Sequence, residues 1–236
     1  MKVPFTRIFM LLIALGSGLL VNAALAQDTN SYLYIANAVS GRELSSTNNP
    51  AYPVDIALAG TCVAKGVSYG DIGGPYVVAA GRFMIAITKA DAASPCGGAS
   101  VFSTLGGTSP GVTYLGVLAL NASNTIVGLL YSINLTGLNS FEERFEVVNT
   151  TTSSLHATIS ANGGTGTLQL PASTIDTGTA VGGIFTAAIW DSSNNQVAGP
   201  AIVPAQPQNV YIYVVAGSEA NHSIQLLGPA VIHGVF

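Results

Sequence analysis

Short apolar blocks separated by turn residues recur along the whole chain. Within a block, apolar side chains alternate with polar ones or run on for a few residues, and Gly, Pro, Asn or Ser bounds each block. This spacing is typical of β-strands joined by tight turns. No long segment has the 3.6-residue periodicity of an amphipathic helix. The pattern predicts an all-β protein, and clear examples of the blocks are Tyr32–Ala36, Val54–Leu58, Phe83–Ile87 and Tyr114–Leu120.

Three blocks have similar counterparts in the second half of the chain, in the same order. The pairs are Tyr32–Asn37 with Arg144–Asn149, Ala80–Ile87 with Val181–Ala188, and Tyr114–Ala119 with Tyr211–Ala216. Ordered similarity of this kind indicates tandem copies of one domain. Each copy of about 100 residues has the length of a β-sandwich. We therefore expect two tandem small β-sandwiches, immunoglobulin-like or transthyretin-like, over residues 27–138 and 139–236.

The chain is poor in charge, and this excludes several classes of protein. Charged residues make up 8% of it, against roughly 25% in a typical soluble domain. Coiled coils and solvated helical bundles need many more Lys and Glu on their exposed faces. Seven Lys and Arg cannot build the basic surface of a nucleic-acid-binding protein. The outer faces of the strands must instead be covered by Thr, Ser, Asn and Gly.

The first 26 residues have the pattern of a signal peptide. Lys2 and Arg7 precede an uncharged apolar run, and Ala24-Leu25-Ala26 is a small-x-small cleavage site. A membrane anchor is the alternative, but the run is short for about 30 Å of hydrocarbon. We expect cleavage between Ala26 and Gln27, a secreted or periplasmic location, and no membrane span in the mature chain. Because residue 27 is Gln and not Cys, a lipid anchor is not expected.

The two cysteines, Cys62 and Cys96, both lie in the expected mature chain. Export permits a disulfide. A redox or metal-binding pair is the alternative, but the sequence has no CxxC motif and no His near either Cys. The sequence favours a structural disulfide and leaves the pairing itself open.

Residues 31–105 contain three motifs of a known module. They are Pro53-Val54-Asp55-Ile56, Gly66-Val67-Ser68-Tyr69-Gly70-Asp71-Ile72 and Tyr76-Val77-Val78-Ala79-Ala80-Gly81-Arg82-Phe83. In this order they resemble the secreted bacterial family called domain of unknown function 4397, and the second half resembles a diverged second copy. The resemblance implies an exported all-β module, often in tandem, and it implies no activity. Where the family usually has a His-Ala-Ser-Pro segment, this chain has Asn37-Ala38-Val39-Ser40, so no role of that His is carried over.

The strongest catalytic candidate is Ser68, in a G-x-S-x-G motif over residues 66–70. In hydrolases this motif is a strand-to-helix elbow that exposes the nucleophile. Here Gly73-Gly74-Pro75 follows, which cannot start a stable helix. His222 or His233 could supply a base in a suitable chain order, but the sequence favours a structural turn at Ser68.

Metal ligands are sparse in the sequence. His156, His222 and His233 have no metal-ligand spacing. Asp55 could bind a cation, but a solvated or turn-bonded carboxylate is the commoner case. The Asp191–Asn195 segment has oxygen ligands for calcium but not the EF-hand spacing, and its residues also favour a hairpin turn. We read the acids of 142–146, beside Arg144, as a solvated face near the domain boundary.

These observations predict an exported, non-catalytic binding or scaffolding module of the cell envelope or extracellular space. We expect no catalytic residues, no metal and no cofactor, and the partner is unknown. The alternative is a self-assembling surface or fibre subunit, associating through edge strands at Tyr32–Ala36 and Val231–Phe236. A secreted serine hydrolase that uses Ser68 is a third possibility.

Overall fold

The structure, a computed structural model, describes residues 29–41, 44, 51–161, 164–218 and 221–233. These residues form 16 β-strands and no α-helix, which confirms the all-β prediction. No helix in these ranges is long and apolar enough to cross a membrane. The expected signal peptide and its cleavage site between Ala26 and Gln27 lie outside the described residues.

The strands fall into two successive sets of eight. The first set is β1 (Asn30–Asn37), β2 (Val54–Leu58), β3 (Thr61–Val67), β4 (Ile72–Ala79), β5 (Gly81–Lys89), β6 (Ser100–Thr108), β7 (Thr113–Leu120) and β8 (Ile126–Ile133). The second set is β9 (Glu142–Asn149), β10 (Leu155–Ala161), β11 (Gly164–Leu170), β12 (Ile175–Val181), β13 (Gly183–Trp190), β14 (Gln196–Ala205), β15 (Val210–Ala216) and β16 (Gln225–Ile232). The predicted boundary at 138/139 falls between β8 and β9.

Each set forms a unit of two four-stranded sheets, and the two units have the same strand order. In the first unit, sheet A is β4-β1-β7-β8 and sheet B is β3-β2-β5-β6; in the second, sheet C is β12-β9-β15-β16 and sheet D is β11-β10-β13-β14. β1 with β7 and β9 with β15 are parallel pairs, and the other pairs are antiparallel. Immunoglobulin constant-type sandwiches divide seven strands into four and three. The four-and-four division differs from that arrangement.

The sequence repeat corresponds to a structural repeat. β1 pairs with β7 in the same register as β9 with β15, which places Tyr114 and Tyr211 at the same point of the two units. The Tyr114 hydroxyl accepts a hydrogen bond from the Ser109 N–H at 3.0 Å, and the Tyr211 hydroxyl accepts one from the Gln206 N–H at 2.7 Å. Each tyrosine thereby ties the start of its strand to the preceding connection.

The ends of β1 and β9 are also equivalent. The Asn37 side chain donates to the Val67 carbonyl at 3.0 Å, and the Asn149 side chain donates to the Leu170 carbonyl at 2.9 Å. Val67 ends β3 and Leu170 ends β11. The same amide therefore links the same two strands in both units.

One of the three sequence matches is out of register by one residue. Aligning Ala80–Ile87 with Val181–Ala188 sets Phe83 against Ile184, which is 68% exposed. In the structure Phe83 corresponds to Phe185, since both are buried and lie at the third position of β5 and β13. A one-residue slip in a strand exchanges its two faces, and only burial reveals which alignment is correct.

Three hydrophobic cores hold the sheets in the order B, A, C, D. One core lies between sheets B and A and one between sheets C and D. The third joins the two units, because the faces of sheets A and C that point away from their own sandwiches pack on each other. Buried residues of this central core are Tyr34, Ala36, Ala38, Leu115, Val117, Ile133, Leu138, Val148, Val210, Ile212, Val214, Ala216 and Leu227.

Candidate functional site

A disulfide and a buried aspartate hold one connection against the outer face of sheet B. Cys62 in β3 and Cys96 in the β5–β6 connection form a disulfide, with their Cα atoms 5.8 Å apart. Asp55 in β2 is 2% exposed. Its carboxylate accepts hydrogen bonds from the backbone N–H groups of Gly66, Cys96 and Asp91 at 2.8, 2.9 and 3.4 Å. The pair is the structural disulfide that the sequence favoured.

The pKa of Asp55 reflects the same contacts. Burial raises the pKa of this carboxyl, but the three backbone N–H groups and the charge of Lys65 outweigh burial and hold it below its usual value. Both carboxylate oxygens are occupied by backbone donors. Asp55 is therefore the turn-bonded carboxylate that the sequence allowed, with a structural role.

Ser68 lies in a turn that leads into a strand. The backbone N–H of Ser68 donates to the Asp71 carboxylate at 2.9 Å, and its carbonyl accepts from the Asp71 N–H at 3.0 Å. β4 begins at Ile72, where a nucleophile elbow would need a helix. The surroundings of Ser68 are those of a β-turn.

The Asp191–Asn195 segment, the candidate calcium loop, is the hairpin turn between β13 and β14. The Asp191 carboxylate accepts hydrogen bonds from the Asn195 side chain at 2.9 Å and from the backbone N–H groups of Asn195 and Ser193 at 2.8 Å. These bonds lower the pKa of Asp191, and the bond from the Asn195 side chain has the largest effect. Within the described ranges no group of three His, Cys, Asp or Glu could hold a metal ion. The carboxylate closes the turn.

The acidic cluster near the domain boundary is not a solvated face, contrary to our expectation. Glu143, Arg144 and Glu146 are at most 5% exposed, because β9 is an inner strand of sheet C and is covered on both faces. The Arg144 guanidinium donates to the backbone carbonyls of Asn134 at 2.6 Å and Thr136 at 2.8 Å. These carbonyls belong to the segment between the units, so Arg144 anchors it.

The two buried glutamates differ in their partners. Glu146 accepts a hydrogen bond from the Thr177 hydroxyl at 2.8 Å. Burial raises the pKa of Glu146, although that bond and the charge of Arg144 oppose the rise. Neither carboxylate oxygen of Glu143 has a hydrogen-bond partner within the described part of the chain. Burial, and then the charge of Glu142, raise the pKa of Glu143 to about 7.

The outer face of sheet D carries an aromatic pair that the sequence did not predict. His156 in β10 lies directly opposite Trp190 in β13. Their rings stack with centroids 6.4 Å apart and planes inclined by 12°. The Trp190 indole N–H donates to the Thr158 hydroxyl at 2.9 Å. Pairing between β10 and β13 brings the two rings together.

This face extends from the aromatic pair to two exposed isoleucines. Ile184 at the other end of β13 is 68% exposed, and Ile202 in the adjacent β14 is 72% exposed. Trp190 lies six positions after Ile184 in the strand, or about 20 Å away at about 3.3 Å per residue. In the first unit, the position that corresponds to His156 is Asp55, under the disulfide-linked connection. Sheet D, unlike sheet B, therefore has no disulfide-linked connection over its outer face.

Comparison with known proteins does not identify a family for this chain. No protein-family model matches the chain, and no curated protein matches it. Among solved structures, the chain is similar to a "putative adhesin" from Bacteroides ovatus, with 10% identity and a TM-score of 0.22 over 88% of this chain and 94% of that one. An overlap of this extent does not establish a common fold or function. The resemblance to domain of unknown function 4397 stays a prediction.

Proposed function

We propose that this chain is an exported, non-catalytic binding or scaffolding protein of the cell envelope or extracellular space. We propose further that its partner binds the outer face of sheet D. The disulfide supports an oxidising compartment, because intracellular thiols are normally kept reduced. The signal-peptide pattern of residues 1–26 supports the same location.

The observation that carries the binding role is the exposure of large apolar side chains on sheet D. Ile184 and Ile202 are more than two-thirds exposed. They share a sheet with the His156–Trp190 pair. Exposed apolar surface of this kind is typical of interaction sites, and amphipathic tryptophan is enriched at interfaces. The hydrogen bond from the indole N–H to the Thr158 hydroxyl restrains the orientation of the Trp190 ring.

The test is saturable binding of the purified mature chain, labelled with a fluorophore, to envelope preparations of its source organism. We expect the double variant Ile184→Asp, Ile202→Asp to bind at least about tenfold more weakly, because central apolar contacts dominate interface energies. The matched control is Val77→Asp, since Val77 is a 60% exposed apolar side chain of β4 in the first unit. Equal binding by the double variant and the control would contradict the assignment to sheet D.

The non-catalytic role is tested separately. We expect the purified chain to show no turnover of p-nitrophenyl esters above the uncatalysed rate. Turnover that Ser68→Ala abolishes would identify the hydrolase alternative instead.

Self-association through a strand edge is the second candidate function. One of the two predicted segments lies at a sheet edge, and the other does not. Tyr32–Ala36 lies in β1, between β4 and β7, so that prediction was wrong. β16, which contains Val231 and Ile232, is the last strand of sheet C; residues 234–236 lie outside the described ranges. Concentration-dependent oligomers in analytical ultracentrifugation would favour this candidate, and a monomer at all concentrations would exclude it.

A further inference from the structure

An apolar cleft opens into the first unit between sheets A and B. It has a volume of about 170 Å³ and lies where β6 and β8, the last strands of the two sheets, face each other. Its walls are side chains of the core, and exposed Leu105 and Leu130 stand at its rim. Of the described residues that line it, Thr104 alone has a polar side chain. The cleft thus admits apolar groups to the interior of the sandwich.

Three inward-facing glycines line this space. Gly106 pairs with Phe83, Gly116 with Ile35 and Gly128 with Leu118, and all three partners belong to the core between sheets A and B. Glycine in a strand interior weakens the strand and often marks close approach of a ligand or another backbone. The Ile85 and Phe102 side chains lie over Gly106 and Gly128, where an added Cβ would be 2.8 and 2.7 Å from them, so the open space lies at Gly116.

The second unit provides the internal comparison. Its equivalent positions follow from the strand pairing, since Val203 lies opposite Phe185 and Leu226 lies opposite Val215. The matches are Gly106 with Val203, Gly116 with Tyr213, and Gly128 with Leu226. All three side chains of the second unit belong to, or pack against, its core. At these three positions the second unit therefore has core side chains where the first unit has glycine.

We propose that this cleft of the first unit is a binding site for a compact apolar group, of the size of an aromatic ring or a short alkyl chain. The group would occupy the volume that the Tyr213 ring fills in the second unit. An enclosed cavity of about 150 Å³ lined by Leu, Ile and Phe stays dry and binds benzene, and this cleft has a similar volume and lining. The cleft lies in the first unit and sheet D lies in the second, so this proposal does not depend on the proposed function.

Gly116 is the position at which the cleft can be filled with little disturbance. A Cβ atom there would contact Leu33 and Ile35 side-chain atoms at 3.7 and 3.9 Å and the Tyr34 carbonyl at 3.8 Å, all ordinary distances. At Gly128, in contrast, a Cβ would lie 2.7 Å from the Phe102 ring. Gly116→Val is therefore the filling variant, and Ser103→Val, on the outer face of β6, is the control.

The experiment is titration of the purified mature chain with toluene, followed by methyl NMR. In the wild type we expect saturable shifts and intermolecular NOEs at the methyl groups of Ile85, Ile87 and Leu33, which line the cleft. We expect Gly116→Val to bind toluene at least about tenfold more weakly, a loss of about 1.4 kcal/mol. We expect Ser103→Val to bind it as the wild type does. If Gly116→Val does not fold, Leu130→Trp at the rim serves as the second variant.

Three outcomes would overturn the proposal. The first is the absence of saturable shifts at these methyl groups in the wild type. The second is equal affinity for toluene in the wild type, Gly116→Val and Leu130→Trp, which would place binding elsewhere. The third is concentration-dependent dimerisation of the wild type that excludes toluene and that Gly116→Val abolishes, which would identify the occupant as a side chain of a second copy. Each can occur whether or not sheet D binds a partner.

Discussion

Glu143 is the residue whose environment is least suited to its chemistry. Its side chain is fully buried, and neither carboxylate oxygen has a hydrogen-bond partner within the described part of the chain. The equivalent residue of the first unit is Ser31, whose hydroxyl donates to Thr108 at 2.7 Å. Burying an ionised group without partners is unfavourable, so the group is protonated more readily. Glu143 should therefore reduce the stability of the protein at neutral and alkaline pH.

We predict that Glu143→Gln raises the free energy of unfolding at pH 8 by about 1–3 kcal/mol. The folded-state pKa of about 7 lies above the ordinary value of 4.5. The stabilisation linked to protonation is therefore fully present below about pH 4.5 and is lost as the pH rises through about 7. Urea unfolding of the wild type between pH 4 and pH 8 should show this loss, and the variant should show a flatter profile.

Glu142→Gln serves as the control for that measurement. Glu142 is only partly buried, and its replacement leaves the buried carboxylate in place. The pH dependence of unfolding should therefore persist in this variant. A flat profile in the wild type would show that the Glu143 carboxyl does not titrate as the structure implies.

At the scale of elements, the β5–β6 connection makes the two units different. In the first unit, residues 90–99 join β5 to β6 and cover part of the outer face of sheet B, where the disulfide and Asp55 hold them against β2 and β3. In the second unit, the five residues 191–195 join β13 to β14 as a tight hairpin turn. The length of one connection thus decides whether the β2 side of an outer sheet is covered.

We predict that Asp55→Asn destabilises the protein by about 2–4 kcal/mol, because an amide cannot accept all the backbone N–H bonds that the carboxylate accepts. The pKa of Asp55 is lowered from 3.8 in the folded protein. Its contribution to stability is therefore present above about pH 3.8 and is lost as the pH falls further. Urea unfolding at pH 7 and pH 3, with hydrogen exchange of the Cys96 amide, measures both effects.

Asp91→Asn is the matched control, because the exposed Asp91 side chain accepts a hydrogen bond from the nearby Ala93 N–H and from no other donor among the described residues. We expect a change of less than about 0.5 kcal/mol for such a surface substitution. Equal destabilisation by the two variants would contradict the role given to Asp55.

Strand positions within the sheets were harder to predict than the strands themselves. The Tyr32–Ala36 block was predicted as a strand that could lie at an edge, and it is the inner strand β1. Its neighbours, β4 and β7, come much later in the chain. Alternation along a strand shows that it has two faces, but pairing between distant segments decides what covers them.

At the scale of the whole molecule, the central core makes the two units interdependent. Sheets A and C are each buried on both faces. One face of each sheet packs inside its own sandwich, and the other faces of the two sheets pack on each other. A strand covered on both faces tends to be apolar along its length, as β15 is with all seven residues buried. Separation of the units would expose the faces that carry Val117 and Ile212.

We predict that the two units unfold in a single calorimetric transition. Val117→Ala, in the central core, should lower the free energy of unfolding by about 1–3 kcal/mol and shift that one transition as a whole. Val77→Ala, at an exposed position of β4, should change it by less than about 0.5 kcal/mol. Two separate transitions, with only one displaced by Val117→Ala, would show that the central core does not couple the units.

The candidate sites could be predicted from sequence only in part. The identities of Cys62, Cys96 and Asp55 were visible, and turn chemistry at Asp191 and Ser68 was favoured from their local neighbours. The His156–Trp190 pair, the burial of Glu143 and the cleft at Gly116 were not visible. Each depends on side chains from strands far apart in the chain, and no local periodicity records which strands become neighbours.

By itself, the sequence determined that the described chain is all-β, that it contains two similar halves, and that turns lie at Ser68 and Asp191. These properties follow from local alternation, from turn residues and from ordered similarity between the halves. Tertiary structure alone decided that the two sandwiches share a third core, that a disulfide-linked connection covers part of one outer sheet, and that an apolar cleft opens beside Gly116 of the first unit. The physical reason is that burial of a strand face depends on which sheet packs against it, and that contact forms between residues distant in sequence.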